Sequence, residues 1–311
     1  MSDHSLIKID AKPLEKLIEV ISNGIGTLYR PRAIRKEADA EAYKIEIVER
    51  AKSKALAEGR DIEADTYERI QERLLYKELK RQKNIDNVSQ IAAEQLKIEE
   101  TVSNDPVNSD WATRFFNIVE DVSDAEMQNL WGRILAGEVR QPKSFSVRTL
   151  ELLKNLSKEE AETFTKFAQI ALTSGDKYFV FDPDNGIFLD NNFGIIFSDK
   201  LLLVDVGLIV AENDLELSFS PVKDEEQLIV VYYGTKGFLI SRKKDVPKQP
   251  IPVIVFSKPG IELLKLVQPA YNDKYIERIA NSFKHDNTNI IFGDIVRLGN
   301  NEIKMFNEKQ F

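Results

Sequence analysis

The stretch FTKFAQIALTSGDKYFVF, residues 164–181, separates two textures in the chain and decides its fold class. On the near side Phe164, Phe167, Ala168, Ile170, Ala171 and Leu172 recur at helical spacing. The preceding Ser157-Lys158-Glu159-Glu160 has the form of a capping box and predicts where that helix begins. On the far side of Thr173-Ser174-Gly175-Asp176, Phe179-Val180-Phe181 is a short β-forming run. Helix before and mixed structure after give an α+β protein.

Beyond the switch, residues 187–189, 215–219, 228–233, 238–240 and 253–256 read as short strands, with late strands at 290–298 and 303–306. Helices are predicted at 199–206, 261–267 and 277–283. A helix running into Gly207-Leu208-Ile209, then a hairpin, then Phe256-Ser257-Lys258-Pro259-Gly260 and another helix resembles a winged-helix arrangement.

Before the switch, Ser123-Asp124-Ala125-Glu126 predicts a second capping box, with Ser123 as the cap. It opens a helix whose face is Met127, Leu130, Trp131, Ile134 and Leu135, after one carrying Trp111, Phe115, Phe116, Ile118 and Val119. Residues 34–96 are rich in helix formers. Their apolar stripe is narrow: Ile34, Ala38, Ala42, Ile45, Val48, Ala51 and Ala55, then Tyr67, Ile70, Leu74, Ile85, Val88 and Ala92, with Gly59 as a turn between. Such a stripe buries too little to stand alone and calls for a partner, either the other half of a hairpin or a second subunit. At 13–29, Leu14, Leu17, Ile18, Ile21, Ile25 and Leu28 form an amphipathic face that Gly24 and Gly26 interrupt and Arg30-Pro31-Arg32 closes. The segments are thus an N-terminal helix at 1–32, a long helical arm at 33–102, a helical core unit at 103–172 and a mixed domain at 173–311.

Composition excludes more than it permits. The 311 residues contain no cysteine and two histidines, His4 and His285, which removes disulfides, Cys-based metal sites, Cys nucleophiles and His-rich metal cages. No apolar run approaches the ~20 residues of a spanning helix, and the start lacks the basic-then-apolar order of a secretory signal, so a cytoplasmic address is expected. The net charge of −8 is unevenly spread. Residues 30–83 hold fifteen basic and twelve acidic side chains, whereas residues 94–138 hold three basic and ten acidic. A basic arm beside an acidic helical unit suits pairing between copies of the chain.

Signatures of chemistry are absent from the sequence: there is no GxSxG elbow, phosphate loop, HExxH or calcium loop. Asp121, Asp124 and Glu126 read as caps, Asp182-Pro183-Asp184-Asn185-Gly186 as a hairpin turn, and His285 as a surface residue in a polar turn. Neither a catalytic residue nor a cofactor or metal site is assigned, and an enzyme acting through carboxylates alone has no positive support. Two groups stand as candidate contact sites. Lys236, Arg242, Lys243, Lys244 and Lys248, with Tyr232 and Tyr233 upstream, form a basic hairpin that either contacts DNA or another partner, or is a solvated edge. Leu17, Ile21, Ile25, Arg30 and Arg32 form a face for an oligomer or membrane-surface contact, in competition with simple docking inside the fold.

Three strings are familiar together: LIEVISNGIGTLYRPR at 17–32, WATRFFNIVEDVSD at 111–124 and LWGRILAGEVRQPKSFSVRTLEL at 130–152. They resemble the bacterial domain of unknown function 2806 family, and the middle block is similar to a helical segment of abortive-infection alpha proteins. The resemblance covers most of residues 13–172. Further on it rests only on the Val206-Gly207-Leu208-Ile209 and Pro259-Gly260-Ile261-Glu262-Leu263 steps. It carries no active site and implies a setting in phage defence. The expectation is a non-enzymatic homo-oligomer that associates through its arm, positioned by Arg30, Arg32, Arg35 and Lys36, around a core held by Trp111 and Trp131. Its C-terminal domain would meet a protein partner or phage-derived trigger. A winged-helix DNA-binding regulator and a peripheral membrane effector are the alternatives.

Overall fold

The computed structural model describes residues 11–29, 61–97, 101–211, 216–222, 226–298 and 302–311. The chain divides into two compact units, Met1–Leu150 and Glu151–Phe311.

The first unit holds α1 (Ala11–Ile25), α2 (Asp61–Leu96), α3 (Ser109–Val119) and α4 (Ala125–Arg140), and α5 (Val147–Asn155) carries the chain into the second. The expected arm and much of the expected helical core therefore share one unit. Trp111 stacks on Phe115 at 5.0 Å and Phe115 meets Trp131 edge-on at 5.6 Å. Trp131, Ile134 and Leu135 are fully buried. Gly24 does not interrupt α1. A β-carbon there would lie 2.2 Å from Phe116 Cδ2, so the glycine lets α1 close onto α3. The left-handed Gly26, φ 71°, ends the helix instead.

The cap of α4 also differs from expectation. Asp124, not Ser123, accepts from the Met127 amide at 2.9 Å. Ser123 Oγ is engaged by Asn84 Nδ2 of α2 at 3.3 Å, which removes it from the helix end. Glu138 is buried and accepts from the Lys143 and Phe145 amides, while Phe145 O accepts from Trp111 Nε1 at 2.8 Å. One carboxylate thereby fixes the loop that the Trp111 indole needs.

The second unit opens with α6 (Lys158–Gln169), whose Ser157–Glu160 capping box forms as predicted. Around it lie β1 (Leu172–Ser174), β2 (Lys177–Phe181), α7 (Ile187–Phe193), α8 (Phe197–Asp205), β3 (Glu216–Phe219), β4 (Gln227–Tyr233), β5 (Lys236–Arg242), β6 (Gln249–Val255), α9 (Lys258–Leu264), α10 (Asp273–Phe283), β7 (Thr288–Arg297) and β8 (Ile303–Gln310). The strands form one eight-stranded sheet in the order β3-β6-β2-β1-β4-β5-β7-β8, antiparallel throughout. Ile229, Val231 and Tyr233 alternate with the more accessible Leu228, Val230 and Tyr232, so one sheet face is the core face. Tyr275, Ile276, Ile279 and Phe283 of α10 are buried there, and the Phe181 amide donates to Tyr275 Oη at 2.8 Å.

Residues 187–189, expected as a strand, belong to helix α7. Asp182 accepts from the Gly186 amide and Asp184 from the Phe188 amide, so the stretch read as a hairpin turn winds a helix start instead. Asp182 is also buried against Lys200 of α8 in an ion pair.

Candidate functional site

Helix α2 is 36 residues long, a rod of about 54 Å, and its two halves meet different surroundings. Toward the C-terminal end, Ile85, Val88, Ala92 and Leu96 are buried. Contact with α4 is close because position 132 carries no side chain: a β-carbon on Gly132 would lie 2.4 Å from Ile91 Cγ2. A buried polar chain fixes the register. Asn84 Nδ2 donates to Glu120 O at 2.8 Å, Gln128 Nε2 to Asn84 Oδ1 at 3.1 Å, and Asn87 Nδ2 to Gln128 Oε1 at 3.0 Å.

Arg81 closes this packed half, reaching Asp121 at 3.1 Å and Glu120 at 3.1 Å. The Asp121 hydrogen bond holds the guanidinium pKa up, and burial pushes the Glu120 carboxyl up against the opposing pull of Arg81.

Upstream, none of the described side chains between 66 and 80 is buried. Ile70 is 39% and Leu74 46% exposed, with Tyr76 and Leu79 exposed as well. The angular positions give this its meaning. Eighteen residues make five full turns, so Ile70 lies in line with Val88 and Leu74 in line with Ala92. The line of side chains buried at Val88 and Ala92 thus continues along the arm with side chains that stay exposed. Charges of both signs flank it. Residues 66–83 hold six basic and three acidic side chains, against two basic and seven acidic in residues 101–138.

Other expected contact residues fare differently. Leu17 and Ile21 are buried inside the first unit and Ile25 is half-buried, which corrects their reading as an oligomer or membrane face: their apolar surface is consumed by the unit's own packing. Arg30 and Arg32, like Arg35, Lys36 and the stripe at 34–55, lie outside the described residues. Among the described residues no helix is long and apolar enough to cross a membrane.

The basic hairpin is not gathered into one patch. Lys236 stands at the turn end of β5 and pairs with Asp294 at 3.0 Å. Lys243, Lys244 and Lys248 are exposed beyond the other end of that seven-residue strand, roughly 20 Å away. Arg242 corrects the reading most sharply. It is fully buried and donates to Ser220 O at 2.9 Å, Gln227 Oε1 at 2.7 Å and Pro247 O at 2.6 Å. It clamps loops onto the sheet and offers nothing to a ligand outside. Burial accordingly pulls its pKa down. His285 is exposed and accepts from the Asn287 amide within its turn. Among the described residues no three His, Cys, Asp or Glu side chains converge as a metal site.

What sequence reasoning missed is the sidedness of the arm. The signal was present, since Ile70 and Leu74 stand eighteen residues before Val88 and Ala92. Nothing in the sequence said that cover would stop at Arg81.

Fold and site together define a mixed α+β protein with a helical core, an antiparallel sheet unit and an apolar arm face left open. The chain belongs to the family described as Protein of unknown function (DUF2806), whose model matches residues 68–280, from the open half of α2 into α10. None of the curated proteins and none of the solved structures matches it.

Proposed function

We propose that this protein is a non-enzymatic, self-associating protein in which the open face of α2 pairs with the same helix of a second copy. The observation that carries this is the exposure of Ile70 and Leu74 in line with the buried Val88 and Ala92. The pairing is antiparallel, because two arms running the same way would drive the α4 helices, which pack on Asn84, Asn87 and Ile91 of the same helix, toward each other. In the antiparallel arrangement the basic tip of each arm points toward the acidic helical unit of the other copy, and the charges attract.

The proposed setting is cytoplasmic and, by the resemblance of residues 111–152 to abortive-infection alpha proteins, anti-phage defence, with the 173–311 domain meeting a partner or trigger. Light scattering on Ile70→Lys/Leu74→Lys tests the assembly. We expect a halved mass at unchanged helix content, and an association weakened by salt in the wild type. A variant with the wild-type mass overturns the reading. Loss of protection against phage plaques in the same variant tests the setting.

A second reading, a winged-helix DNA-binding regulator, draws on the exposure of Lys243, Lys244 and Lys248. It predicts salt-sensitive duplex binding that Lys243→Ala/Lys244→Ala weakens, and wild-type protein that binds no duplex at low salt disposes of it.

A further inference from the structure

Helices α7 and α8 of the second unit leave an apolar surface open. Leu203 is buried and seats α8 on its own unit. Away from it, Phe197 and Leu201 stand one turn apart and are 65% and 48% exposed, with Ile196 just before them at 46%. Gly186 lets the start of α7 stand alongside: a β-carbon there would lie 3.3 Å from Lys200 Nζ, and the next residue, Ile187, is 64% exposed. These four side chains present on the order of 400 Å² of apolar surface, taking about 150–200 Å² for each whole side chain. A patch of that extent on a folded domain marks a contact site.

The charge around the patch selects the partner that fits it. Residues 182–205 hold five aspartates and one lysine. Three of the aspartates are engaged within the fold: Asp182 on Lys200, Asp184 beside Arg278 at 3.7 Å, and Asp199 on the Ile196 amide at 3.1 Å. Asp190 and Asp205 are exposed and in no ion pair among the described residues. Asp190 follows Ile187 by three positions and Asp205 follows Leu201 by four, so each carboxylate borders the patch. An anionic lipid surface or a phosphate backbone would be repelled by these charges, and so would the same patch of a second copy. A helix with apolar residues on one face and lysines or arginines beside them satisfies both the patch and its border. Along α8, Phe197, Leu201 and Asp205 advance by about 6 Å per step, the repeat at which a partner helix presents its own i and i+4 side chains.

We propose that the α7–α8 patch docks a basic amphipathic helix of a partner protein. The inference names the surface for the partner contact proposed for residues 173–311 and rests on that reading, while the pairing of α2 is independent of it. The probe is a designed peptide of about eighteen residues with leucines on one helical face and lysines on the other, compared with its leucine–glutamate counterpart. In isothermal titration with the full chain we expect the lysine peptide to bind, more weakly as salt rises, and the glutamate peptide to bind at least about tenfold more weakly. Phe197→Ser/Leu201→Ser should weaken the lysine peptide about tenfold or more, and Asp190→Asn/Asp205→Asn about threefold. All four positions are exposed, so circular dichroism should show the fold retained, and Leu201→Lys serves the same end if the serine pair does not fold. No binding of the lysine peptide, equal binding of both peptides, or wild-type binding by the patch variant overturns the proposal. Ile70→Lys/Leu74→Lys should bind the peptide as wild type does, so loss of the α2 pairing and loss of the patch contact are read separately.

Discussion

The two units hold their elements together by different means. In the second, strands far apart in sequence are joined by a ladder of main-chain bonds, as where Phe179, Val180 and Phe181 pair with Val255, Ile254 and Val253. In the first, helices carry their main-chain bonds internally, so what fixes one helix against another is a handful of side chains. Asn84, Gln128 and Glu138 do this work, with Gly132 setting the distance. A ladder tolerates changes of side chain because the backbone supplies it. A side-chain network does not, since each missing member leaves its partner buried and unsatisfied.

The sharpest way to break this contrast is at the aromatic centre of the helical unit. Trp131→Ala removes the largest fully buried side chain and should cost about 3–5 kcal/mol. Trp111 and Trp131 are the chain's two tryptophans and both lie in the first unit, so the remaining indole emission reports that unit's unfolding in urea. A midpoint that does not move refutes the assignment.

Next comes a place where the sheet unit, too, depends on a side-chain network. Arg242→Ala strips three carbonyl-type acceptors of their donor and should cost about 2–4 kcal/mol, read as a lower melting temperature. A variant as stable as wild type would show that Arg242 is a surface lysine's equivalent after all.

A smaller loss, about 1–2 kcal/mol, is expected for Asn84→Ala, which takes a donor from Glu120 O and leaves Gln128 Nε2 with Val122 O as its remaining acceptor. Val230→Thr, a half-buried side-chain change within the ladder, should move the melting point less. If the two variants are equally destabilised, the proposed difference between the units fails.

The smallest effect is one of pH. Asn307 donates to Asp294 at 2.6 Å, and with Lys236 it lowers the Asp294 pKa below its usual 3.8. A depressed carboxyl contributes stability above the unfolded value and loses it as pH falls through the folded one. Stability should therefore decline more steeply below about pH 4 in wild type than in Asp294→Asn, and parallel acid curves would count against the pairing.

Legibility in the sequence follows the same division. Helical faces were readable because three- and four-residue spacing is local: Trp111, Phe115 and Trp131 stand where periodicity put them. Strands β4, β5 and β7 were readable from β-forming runs, but the strand order was not, since no local pattern couples residue 180 to residue 254. The miss at 187–189 had a local cause, two aspartates bonding amides four residues on, a geometry that the turn-forming composition conceals. Arg242 was misread because its acceptors are carbonyls of Ser220 and Pro247, and any residue presents a carbonyl. Of the candidate site, Ile70 and Leu74 were legible as a stripe; that they stay open was not.

One consequence of the unbroken α2 concerns angular phase. The rod fixes the bearing of Ile70 and Leu74 relative to the face seated on α4, and each residue advances that bearing by about 100°. Inserting a single residue near Arg81 would swing the open face a quarter turn or more away, while seven residues would restore it to within about 20°. An arm of this design can be lengthened only in steps that return it to the same compass point, so its length is quantised even though its sequence is not.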